Sequence, residues 1–86
     1  MEINKLIEVV KEKITKEIVL QEINVEDKSF LHKSHKNNSP NKFHIKITII
    51  SEELKFKKKV DSTKIIYKIL NKELKNYIHS LQLSID

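Results

Sequence analysis

The second half of this chain leaves little freedom in how it can fold. Phe43-His44-Ile45-Lys46-Ile47-Thr48-Ile49-Ile50-Ser51 alternates apolar and polar residues, a helical stretch carrying Ile65-Ile66-Tyr67-Lys68-Ile69-Leu70 follows, and Ile78-His79-Ser80-Leu81-Gln82-Leu83 comes after it. A period of two marks a half-buried strand, and apolar residues three and four apart mark a helix. Strand, helix and strand with almost no loop between them make a compact βαβ unit. Two strands joined this way in one sheet are expected to be parallel, with a right-handed crossover. Two of the four histidines, His44 and His79, stand at the openings of these two strands.

Upstream, Ile3, Leu6, Ile7, Val10 and Ile14 recur at helical spacing from Met1 to about Lys16, with lysines and glutamates on the other face. The apolar run Ile18-Val19-Leu20 then gives way to alternation. Val19, Ile23 and Val25 are expected on one face of a first strand, and Glu22, Asn24 and Glu26 on the other. Asp27 to Lys42 is too polar to pack and is broken by Pro40, so it is expected as a mobile loop joining two antiparallel strands. In the second strand Ile45, Ile47 and Ile49 form the buried side, opposite His44, Lys46 and Thr48.

Ser51-Glu52-Glu53-Leu54 predicts a single helical turn. A longer helix is expected to start near Asp61 or Ser62, either of which can cap exposed N–H groups. Its stripe runs Ile65, Ile66, Ile69, Leu70, Leu74 and Tyr77, with Tyr67 on the stripe or its border. Asn76 is the expected terminator, because asparagine best replaces glycine in the left-handed conformation. The last strand is expected from Ile78 to about Ser84, with His79, Leu81 and Leu83 alternating against Ser80 and Gln82. The fold class is therefore α+β: one α-β-β-α-β domain over residues 1–86, a three-stranded mixed sheet with helices on one face.

A chain of 86 residues buries only about 60% of the surface its unfolded form exposes, so modest stability is expected. No run of eighteen apolar residues could span a membrane and the N-terminus does not read as a secretory signal, so a cytoplasmic protein without a membrane partner is expected. Cysteine is absent, which excludes disulfides and any thiolate ligand from this chain. A metal held here must use histidine, carboxylate or a partner's sulfur. No nucleophile elbow or glycine-rich phosphate cradle surrounds the serines, histidines and aspartates, so the chain reads as non-enzymatic.

The formal charge of +5 attracts nucleic acid or acidic proteins. All seventeen basic residues are lysine, whereas arginine is the usual bidentate reader of guanine and phosphate. Isoleucine and asparagine are frequent and glycine is missing, a pattern that fits drift toward A/T-rich codons. Weak, nonspecific contact with DNA is thus the expectation. Lys55, Lys57, Lys58 and Lys59 around Phe56, with Lys64 beyond, form the candidate surface for a phosphate backbone or an acidic partner. Their plainer role is a solvated turn.

The order of elements and the residues at their junctions resemble the BolA family. The resemblance runs without a gap from about Phe43 to Leu83 and reaches back through Asp27-Lys28-Ser29, similar to the family's Asp-x-Ser at the end of the first strand. His44-Ile45-Lys46-Ile47 and Ser51 resemble its second strand, Ile65-Ile66-Tyr67 its central helix, Glu73-Leu74 the end of that helix, and Ile78-His79-Ser80-Leu81 its last strand. Two junctions depart from the pattern. Leu54-Lys55-Phe56 stands where the family usually has Phe-x-Gly, so this turn must form without glycine's access to positive φ. Ser62-Thr63-Lys64 stands where it usually has Arg-His-Arg or Arg-His-Lys, which removes two members of a proposed nucleic-acid face.

The resemblance implies a partner, a monothiol glutaredoxin, and a two-iron two-sulfur cluster shared with it, with none expected in the isolated chain. The glutaredoxin side would supply cysteine and glutathione sulfur. His79 would contribute an imidazole, with a second from the loop: His32, His35, or His44 at the loop's end. Neutral nitrogen in place of anionic thiolate lowers the negative charge at the cluster and raises its reduction potential. Spacing alone reads otherwise. His79 shares parity with Leu81 and Leu83 and would be an edge-of-core imidazole, His44 a solvated residue beside Lys46, and His32 and His35 a weak metal signal. The alternative function is a DNA-binding transcriptional regulator of stress response or cell morphology, since the element order is like that of type II KH domains. The absence of glycine removes any Gly-x-x-Gly clamp of the kind those domains use.

Overall fold

In a computed structural model, which describes residues 1–29 and 42–86, the elements follow the order α1 (Ile3–Glu17), β1 (Glu22–Asp27), β2 (Phe43–Ile50), α2 (Glu52–Lys55), α3 (Lys59–Ile69), α4 (Asn71–Asn76) and β3 (Ile78–Ile85). The sheet order is β1-β2-β3, with β1 antiparallel and β3 parallel to β2. The expected architecture is thus observed, with the expected helical turn present as α2 and the longer helix divided into α3 and α4. Most of the expected loop, including His32 and His35, lies outside the described residues.

Register explains the core. Ile23 and Val25 pair with Ile49 and Ile47, and Ile45, Ile47 and Ile49 pair with Leu81, Leu83 and Ile85, so one sheet face is aliphatic across all three strands. Leu6, Val10 and Ile14 of α1, Leu54 of α2, and Ile66 with Leu70 from the α3–α4 segment close over it. Truncating a fully buried side chain such as Ile47 to alanine costs about 2–5 kcal/mol.

Several local expectations are corrected. Val19 does not share the face of Ile23 and Val25; it precedes β1 and is 74% exposed. Its backbone is held by α2 instead: its N–H donates to Glu53 Oε2 (2.8 Å) and its carbonyl accepts from Ser51 Oγ (2.8 Å). The long helix starts at Lys59, before Asp61 and Ser62. Ser62 is not a cap; it is buried and its hydroxyl donates to the Leu54 carbonyl at 2.9 Å, binding α3 to α2. At Leu70 (φ −97°, ψ 15°) the backbone leaves helical geometry, which separates α3 from α4. Tyr67 is 42% exposed and contributes little packing.

No described residue has positive φ, so Asn76 does not end its helix in the left-handed region. It closes α4 with its side chain, Nδ2 donating to the Lys72 carbonyl at 3.0 Å. The turn without glycine is made the same way: Phe56 sits at φ −81°, ψ −5°, its N–H directed at the Glu52 carbonyl, and Ser51 Oγ accepts from the Leu54 N–H at the front of α2. Side-chain and backbone hydrogen bonds do here what positive φ does elsewhere.

Candidate functional site

The mouth of β3 departs from simple alternation. Phe43 pairs with Ile78 and the next residue, His44, pairs with Ser80, which leaves His79 as an extra residue on β3. Such a bulge breaks the period of two and re-aims a side chain. Ile78 keeps its place in the core at 2% exposure, while His79 and Ser80 are exposed. His79 therefore does not share the environment of Leu81 and Leu83, and the edge-of-core reading fails for this physical reason.

His44, expected to be solvated, is buried at 6% exposure. Its Nδ1 lies 2.6 Å from Ser80 Oγ, and its ring centroid lies 4.9 Å from that of His79 at an interplanar angle of 54°. Its backbone N–H donates to Ser29 Oγ (3.1 Å), the Lys28 N–H donates to its carbonyl (2.7 Å), and the Ser29 N–H donates to Asp27 Oδ1 (2.9 Å). The Asp27-Lys28-Ser29 corner thus holds the end of β1 against the start of β2. A fixed imidazole then flanks an exposed one.

This geometry brings two of the four candidate histidines together; the other two, His32 and His35, lie outside the described residues. No group of three histidines or carboxylates able to hold a metal occurs among the described residues. With no cysteine in the chain, the potential donors at this mouth are imidazole nitrogens alone. The signals that alternation concealed were the bulge and the pairing of Ser80 with His44. Two histidines at the openings of adjacent strands were the visible hint.

The lysine surface occupies the other end of β3. Lys55, Lys57, Lys58, Lys59 and Lys64 are all exposed. Lys55, Lys57 and Lys59 line a recess of about 320 Å³ with Ser62, Thr63 and the β3 end through Asp86. His79 and Ile85 are six residues apart on one strand, a separation of about 20 Å.

Residues 14–86 match the family model described as BolA-like protein, and the chain belongs to that family. Among curated proteins, it is 34% identical over 76 residues to the DNA-binding transcriptional regulator BolA of Haemophilus influenzae, covering 88% of this chain and 71% of that protein. Among solved structures it resembles the BolA domain of SufE1 from Arabidopsis thaliana, with a TM-score of 0.82, 28% identity, and coverage of 99% of this chain and 94% of that one. It also resembles BolA1 from the same plant, with a TM-score of 0.79, 25% identity, and coverage of 93% and 88%. The family and the mixed-sheet fold expected from the strand and helix junctions are those found. No helix among the described residues is long and apolar enough to cross a membrane.

Proposed function

We propose that this chain is a non-enzymatic adaptor that binds a monothiol glutaredoxin and helps hold or pass on a two-iron two-sulfur cluster. The observation that carries the reading is the exposed His79 on its bulge, set against the buried His44 that Ser80 fixes in place. A cluster so held would gain a histidine-ligated iron and the higher reduction potential that goes with it. His79 would offer the ring nitrogen, and His44 with Ser80 would limit the orientations its ring can take. His32 or His35 would complete this chain's share.

Mixing the purified protein with cluster-loaded glutaredoxin is expected to change the visible absorption spectrum and to yield a heterodimer on size exclusion. An unchanged spectrum, or the same new spectrum with His79→Ala, counts against histidine ligation.

A second reading, a DNA-binding transcriptional regulator, is favoured by the name of the Haemophilus relative and by the exposed lysines. Duplex affinity measured at two salt concentrations tests it. Regulation requires sequence preference that survives physiological salt, whereas lysines acting only through counterion release lose affinity without preference.

A further inference from the structure

Phe56 is 86% exposed, the highest value among the exposed large hydrophobic side chains of the described residues, and it is enclosed in sequence by Lys55, Lys57, Lys58 and Lys59. An aromatic ring in water is unfavourable, and nothing in the turn requires one: the backbone there is right-handed and closed by its own hydrogen bonds. Lys55 and Lys57, its two neighbours, both line the recess at the start of α3, with Lys59 as a third cation and Asp86 as the one acid in the lining. Thr63 and Ser84 also line it, and Ser62 lines it with its hydroxyl committed to the Leu54 carbonyl.

We propose that this turn binds single-stranded nucleic acid, with the recess taking a backbone phosphate and Phe56 stacking on an adjacent base. A cationic groove with an aromatic platform recognises single strands because every base has a π-face, and a paired duplex base does not present it. Lysine suits this task, since point charges attract phosphate without selecting a base. The bulk of Phe56, where a glycine would permit close backbone approach, argues against a flush fit to a duplex. The inference deepens the nucleic-acid reading and is independent of glutaredoxin binding.

The chain contains no tryptophan, so Phe56→Trp supplies a unique fluorophore at the contact point. Titration of that variant with an oligothymidylate is expected to quench its emission at moderate salt. Phe56→Ala should lower oligonucleotide affinity roughly tenfold or more, with an unchanged melting temperature. Duplex of equal length should bind more weakly and leave the emission unaltered. If Phe56→Ala binds single strands as well as the parent does, or if duplex and single strand bind alike, the inference is overturned. Duplex binding with sequence preference and no quenching would overturn it while leaving the regulator reading intact; no binding of either nucleic acid would remove both. A blue shift on vesicles rich in anionic lipid, without quenching by the oligonucleotide, would reassign the surface to membranes and also overturn it.

Discussion

His79 and its neighbours show how much a single inserted residue changes. Without the bulge, the ring would follow the parity of Leu81 and Leu83 toward the core; with it, Ile78 fills the core and the imidazole reaches solvent. Because His79 is exposed, His79→Ala should alter thermal stability by less than about 0.5 kcal/mol while, under the proposed function, weakening cluster binding. Thermal unfolding beside a binding titration separates the two effects. Ser80→Ala takes away the hydroxyl 2.6 Å from His44 Nδ1, and should cost about 1 kcal/mol, measured by urea unfolding. Ser62→Ala removes one of two donors to the Leu54 carbonyl, which keeps the Lys57 N–H at 3.1 Å, so a loss of about 1 kcal/mol is expected by the same assay.

At the scale of elements, hydrophobic period was enough to give the three strands of the described residues and the first helix, because one face of each is buried and the other is not, and the strand–helix–strand connection gave the mixed pairing. Positions set by long-range hydrogen bonds were not legible. Ser62 reads as a cap but serves as a buried tie to α2, and the break at Leu70 has no glycine or proline to announce it. The bond between Lys13 and Glu73 was equally hidden, since its partners lie sixty residues apart in sequence. Lys13 Nζ donates to both oxygens of Glu73, at 2.9 and 2.8 Å, tying α1 to α4. The Glu73 side chain is 4% exposed and that of Lys13 39%, so solvent screens one end of the pair. Lys13→Met should therefore destabilise by about 1–2 kcal/mol, below the cost of breaking a fully buried pair. Adding Glu73→Leu should recover much of that loss in a double-mutant cycle. If the two single changes merely add, the pair does not couple the helices.

Across the whole molecule, the histidine pair and the lysine recess stand at opposite ends of β3, about 20 Å apart. Sites this distant with no shared partners act independently unless the fold itself changes. His79→Ala should leave oligonucleotide affinity unchanged, and a fluorescence anisotropy titration of the variant checks it. The histidine end carries the main functional claim, and pulsed electron paramagnetic resonance tests it most directly. The protein would be labelled with 15N only at histidine, combined with unlabelled cluster-loaded glutaredoxin, and the cluster reduced. Coupling of the unpaired electron to 15N is expected in the complex and should diminish with His79→Ala, although the heterodimer still forms. A complex without 15N coupling, or one whose coupling is identical in the variant, would contradict ligation by His79.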